Sequence, residues 1–280
     1  MDMLSFLLLP FLTGLVLTGI HAYLGVHVVE RGVIFVDLSL AQIAALGTTV
    51  AFLNGYDLHS GPSYFWSLGF TIVGAAIFAL TRVHRETRIP QEAIIGIVYS
   101  VSAAAAILVM SKAPQETEHL KDMLVGNILA VNGYTVIKTA ILYALVGLFH
   151  FVFRKKFLTI SLNAHNGTAD TIPNVKLWDF LFYTSFGFVV TSSVAIAGVL
   201  LVFSYLIVPS VAAMLFSYSI GKRLAIGWTM GALVTAIGIL LSFQLDLPTG
   251  ATIVCTFGIA LVVLAIVRIF VRPRPIARAA

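Results

Sequence analysis

Runs of about twenty consecutive apolar residues constrain this chain more than any other feature. The runs lie at residues 4–24, 33–53, 63–80, 93–110, 135–153, 180–197, 198–216, 224–243 and 251–271. At 1.5 Å rise per residue, each is long enough to cross the hydrocarbon of a bilayer as a helix. The ten-residue alternation that marks a transmembrane barrel is absent, and backbone groups in lipid must then be satisfied within helices. The expected fold class is therefore all-α: a polytopic helical membrane protein with about nine transmembrane helices. The sixth and seventh runs are contiguous, so they read as one bent hairpin, with Pro209 expected to break or kink the second half, and eight spans is the alternative count. Composition agrees: 59% of the 280 residues are hydrophobic and 10% charged. A single cysteine, Cys255, excludes an intrachain disulfide framework and a Cys-rich metal site.

Charge placement gives an expected orientation. Arg31, Arg82, Arg85, Arg88, Arg154, Lys155, Lys156, Lys176, Lys222, Arg223, Arg268, Arg272, Arg274 and Arg278 fall on one side of the span pattern. Only Lys112, Lys121 and Lys138 fall on the other. By the positive-inside rule the C-terminus is cytoplasmic and, with nine spans, the N-terminus is outside, as expected for a multi-pass protein of the inner (plasma) membrane. The net charge of +5 is thus a matter of topology, and no nucleic-acid partner is expected. The first run lacks a basic n-region and reads as a retained span. No loop can build a core of its own, so residues 1–280 form a single membrane domain whose one sizeable inner segment is 154–179 (RKKFLTISLNAHNGTADTIPNVKLWD).

Residues 28–47 (VVERGVIFVDLSLAQIAALG) carry the chemistry. An acid within an apolar run is costly and suggests an ion or proton path. Asp37 has two readings: an acid near a helix end paired with Arg31 or a cap, or a hard oxygen way-station for a divalent cation. Positions 33, 34, 40 and 41 are Val, Ile, Leu and Ala, so co-ligands must come from other helices or a second copy. Among the seven scattered histidines, His21 and His27 flank the turn before this helix. A phosphate loop is missing, as are H-E-x-x-H and G-x-S-x-G, so the chain cannot hydrolyse ATP alone and reads as a transport subunit rather than an enzyme. Rival readings are a gradient-driven secondary transporter or channel for cations, and an intramembrane enzyme or scaffold. The first would show more intramembrane charge and an inverted repeat, the second paired titratable groups.

Residues 31–47 resemble the second-span signature of the zinc/manganese-type ABC importer permeases. Residues 96–102 (GIVYSVS), 124–131 (LVGNILAV), 198–213 (GVLLVFSYLIVPSVAA) and 246–252 (DLPTGAT) resemble further family segments in the same order. The resemblance implies a fold distantly like that of the vitamin B12/siderophore importer permeases. It also implies a homodimer lining a central pathway for zinc or manganese, with no permanently bound cofactor and ATP used by a partner subunit. The implied partners are cytoplasmic ABC ATPase subunits, an extracytoplasmic metal-binding protein, a second copy of the chain and the lipid bilayer. Segment 154–179 resembles the coupling segment that docks on the ATPase, with Leu158, Ser161, Leu162, Ala164, Ala169 and Ile172 as its contact residues. Asp246 matches a family position at the outer mouth. The family has a histidine four residues after its acid, where this chain has Ala41. Gln42, five residues on, joins Asp37 and His27 as the implied metal set. A π-bulge would be needed to bring Gln42 to the histidine's face, and the amide favours a harder cation such as Mn²⁺.

Overall fold

Helix starts are marked where the sequence supplies caps. Ser60 Oγ accepts from the Ser63 amide at 3.3 Å, and Asn132 Oδ1 accepts from the Thr135 amide at 2.9 Å, so two helices begin where a short polar residue meets orphan amides. The computed structural model describes residues 3–57, 60–82, 89–111, 126, 128–164 and 172–270. Its helices are α1 (Met3–Arg31), α2 (Val36–Leu53), α3 (Gly61–Leu80), α4 (Gln91–Met110), α5 (Gly133–Val152), α6 (Arg154–Leu162), α7 (Val175–Phe216), α8 (Ile220–Leu245) and α9 (Thr249–Phe270). A 3₁₀ turn, Ile128–Ala130, precedes α5. Among the described residues eight helices are long and apolar enough to cross a membrane, α7 counted once.

That one helix holds two crossings. Gly198 inside α7 has φ 74° and ψ 160°, a region open in practice to glycine alone. Asp179 near the start of α7 bonds Arg31, the last residue of α1. Ser217, just past its end, accepts from Arg223, which pairs with Glu30 of α1. Both ends of α7 therefore lie beside the same end of α1, whereas a straight helix would put Asp179 and Ser217 about 57 Å apart. The chain turns back at Gly198, the boundary between the sixth and seventh apolar runs. Pro209, the other candidate breaker, stays within the helix and packs against Gly227.

Packing is tight around α1 and the returning half of α7. A Cβ on Gly25 would meet the Leu206 carbonyl oxygen at 2.0 Å, so the two backbones touch with no room for a side chain. Gly231 likewise faces Thr18, and Gly14 faces Thr235 and Tyr205. α2 packs on α3 and α4, α3 on α7, and α1 on α7 and α8. The spans α4, α5 and α9 bury the least of their surface and form the outer wall. α1 runs seven residues beyond its expected end at Leu24, because the polar residues His27, Glu30 and Arg31 all find partners there.

Candidate functional site

Asp37 stands in the first turn of α2, 1% exposed, with its Oδ1 lacking a hydrogen-bond partner. The nearest cation in sequence does not neutralise it. Arg31 Nη1 instead donates to Asp179 Oδ1 at 2.7 Å, and Arg82 bonds the other carboxylate oxygen. The Arg31 guanidinium also lies 3.9 Å over the Phe182 ring, so its charge is met by a carboxylate and an aromatic face. The pairing with Arg31 that would make Asp37 a purely structural acid is thus taken by another residue.

Gln42 is half-buried on the same helix. α2 is continuous α-helix from Val36 to Leu53, without the π-bulge that would rotate the amide. Five positions of α-helix put Gln42 about 140° round and about 7.5 Å further along the axis from Asp37. One copy therefore does not present both side chains to a single ion. Among the described residues, no group of three or more His, Cys, Asp or Glu side chains could hold a metal.

His27 belongs to a different constellation, at the end of α1 next to the short helix α6. Its Nδ1 lies 2.8 Å from Ser161 Oγ, and Arg31 Nε donates to that same oxygen at 2.8 Å. A guanidinium only donates, so the hydroxyl accepts from Arg31 and its own proton is available to His27. Tyr23 packs edge-on to His27, with ring centroids 4.7 Å apart, and its hydroxyl lies 3.3 Å from His150 Nδ1. Ser185 Oγ donates to the Phe182 carbonyl, so His150 Nε2, 2.8 Å from that oxygen, is the donor between them. His150 Nδ1 then accepts from Tyr23. Phe157 of α6 stacks on His150 at 4.4 Å and completes an aromatic wall. His21, six residues back along α1 from His27, bonds the Leu17 carbonyl at 2.8 Å and leaves Nε2 without a partner.

The coupling-segment residues separate by face. α6 begins at Arg154, directly after α5, and buries Phe157, Ile160 and Ser161. Arg154, Lys155, Lys156, Thr159 and Leu162 are exposed, while Leu158, Ala164 and Ile172 are half-buried. Ala169 lies outside the described residues. Asp246 caps α8 in the left-handed region (φ 51°, ψ 47°), its amide bonded to the Ser242 carbonyl and its side chain exposed.

Reasoning from sequence missed His150, Asp179 and the Glu30–Arg223 pair. The only available signal was position: each is a polar residue within a turn or so of the end of an apolar run. Their partners lie 35 to 193 residues away in sequence, so no spacing rule reveals them.

The sequence resembles membrane proteins of transport systems along most of their length, and the fold resembles a solved structure. The chain is 27% identical over 254 residues to the manganese transport system membrane protein MntC of Listeria monocytogenes, covering 89% of this chain and 86% of that one. It is 26% identical over 233 residues to the chelated iron transport system membrane protein YfeC of Yersinia pestis, covering 75% and 79%. The solved structure of PsaBC from Streptococcus pneumoniae in complex with Fab superposes with a TM-score of 0.75 at 23% identity, covering 96% of this chain and 92% of that one. The model of the ABC 3 transport family matches residues 3–268, and the chain belongs to that family.

Proposed function

We propose that the chain is the permease subunit of an ATP-driven importer for divalent metal ions, manganese or zinc in the first place. In this reading two copies line a pathway, cytoplasmic ABC ATPase subunits bind the face bearing α6, and an extracytoplasmic metal-binding protein delivers the ion. The C-terminus is then cytoplasmic, in line with the distribution of Lys and Arg. Family membership supports transport, and the names of the manganese and iron relatives support a metal cargo.

The observation that carries the reading is the buried, unpartnered Oδ1 of Asp37 on a membrane span. Such an atom is costly in a low-dielectric interior unless a cation or donor visits it. Asp37 serves as a hard-oxygen way-station, and Gln42 as a second contact further along the path. His27, which the resemblance sets with these two, sits instead in the cluster around Ser161, where its Nδ1 accepts from the serine and its proton lies on Nε2, so it offers the ion no lone pair there. Asp246 stands at the outer mouth.

The test is uptake of Mn²⁺ into proteoliposomes holding the permease with its ATPase, with and without ATP. ATP-dependent uptake that falls at least tenfold in Asp37→Ala, with membrane insertion intact, is expected. Unchanged uptake in that variant would remove Asp37 from the path. Uptake that proceeds without the ATPase would favour a gradient-driven transporter.

A further inference from the structure

We propose that Ser161 is a positioning residue that locks the short helix α6 to the end of α1, so that the two move as one body during transport. The inference rests on the importer reading and adds to it the route by which a push on α6 enters the bundle.

Four observations converge. Ser161 is buried on the inner side of α6, facing away from the exposed, basic surface of that helix. Its single hydroxyl serves two α1 residues one turn apart, accepting from Arg31 Nε at 2.8 Å and lying 2.8 Å from His27 Nδ1. Both α1 residues are themselves anchored: Arg31 to Asp179 at the start of α7, and His27 in ring contact with Tyr23, His150 and Phe182. The other buried residues of α6 are apolar: Ile160, and Phe157, whose ring packs against Phe149, His150, Trp178 and Phe182. Ring contacts of that kind tolerate sliding, whereas two hydrogen bonds converging on one oxygen fix both the height and the rotation of α6 against α1.

A surface that meets a partner needs its side chains outward, and Ser161 has none of its hydroxyl to offer there. The residue therefore acts within the chain. A displacement of α6 is delivered to the end of α1 and, through Arg31 and Asp179, to the start of α7. The helix that carries Asp37 begins at Val36, a few residues after the end of α1, and receives it from there.

The experiment measures Mn²⁺ imported per ATP hydrolysed by the reconstituted complex for Ser161→Ala, Ser161→Cys and Ser161→Thr. Thr256→Ala serves as control, because the Thr256 hydroxyl bonds the Thr252 carbonyl within α9. Ser161→Ala and Ser161→Cys are expected to keep ATP hydrolysis within about twofold while the import ratio falls at least fivefold. Ser161→Thr and the control should keep the ratio. An unchanged ratio in Ser161→Ala or Ser161→Cys would overturn the inference and leave the importer reading standing, whereas a wild-type complex without ATP-dependent uptake would remove the reading itself. Hydrogen exchange on the unmodified complex gives a second measurement that needs no variant. On nucleotide binding, exchange in residues 154–162 and 27–33 should change together, and a change confined to 154–162 would overturn the lock.

Discussion

Arg31 and Asp179 form a buried ion pair, Nη1 to Oδ1 at 2.7 Å, that joins the end of α1 to the start of α7. Arg82 bonds the second oxygen of the same carboxylate, so one buried anion holds two guanidiniums from different parts of the chain. Removing the anion leaves two cations facing each other in a poorly solvated place. Breaking a buried charge pair from one side costs about 3–5 kcal/mol. Asp179→Ala should therefore lower the thermal unfolding midpoint in detergent far more than Asp57→Ala, whose side chain is exposed. Equal midpoints for the two variants would mean that the cluster contributes little to holding α1 and α7 together.

The glycines give a sharper contrast. A methyl on Gly25 meets backbone, the Leu206 carbonyl oxygen at 2.0 Å and carbon at 2.9 Å, and backbone cannot rotate away. A methyl on Gly19 meets nothing within 4 Å. Overpacking costs about 1–3 kcal/mol, while Gly to Ala in an open helix position gains up to about 1 kcal/mol from helix propensity. Gly25→Ala should reduce the yield of monodisperse protein and its unfolding midpoint, and Gly19→Ala should leave both equal or higher. A tolerated Gly25→Ala would mean that α1 and the returning half of α7 are further apart than described.

How far the sequence carries the fold is visible at α7. Apolar run length marks both crossings and even their boundary at Gly198, because span length is set by bilayer thickness. What run length cannot show is that Pro209 stays inside its helix, packed beside Gly227 of α8. The candidate site is less legible. Asp37 stands out because an acid within an apolar run is rare. The cluster around Ser161 stays hidden because its members lie on α1, α5, α6 and α7, and each alone resembles an ordinary interfacial residue. Within the inner segment 154–179, the described helix is α6, at its start.

Asp37 and Gln42 can be told apart by substitution. The α-helix between them is unbroken, so they reach different levels and faces of α2. A residue that alone lends a buried charge to the cargo should matter more than an amide with access to water. Asp37→Ala should lower ATP-dependent Mn²⁺ uptake at least tenfold, and Gln42→Ala by about threefold or less. Equal, large losses would indicate that the two side chains act on one ion, with Gln42 contributed by the second copy.

Asp246 has two roles to separate, one in its backbone and one in its carboxylate. A non-glycine residue in the left-handed region costs about 1 kcal/mol or more, and the Asp246 amide closes the end of α8 on the Ser242 carbonyl. Glycine at this position relieves the strain, keeps the amide and removes the charge. Asp246→Gly should therefore unfold no earlier than the wild type, while Asp246→Ala, which keeps the strain and loses the acid's local hydrogen-bonding capacity, should unfold earlier. Uptake decides the rest. If the carboxylate greets the incoming cation, Asp246→Gly will raise the Mn²⁺ concentration needed for half-maximal uptake without lowering the maximal rate. A folded Asp246→Gly protein with an unaltered concentration dependence would assign the residue to the turn between α8 and α9 alone.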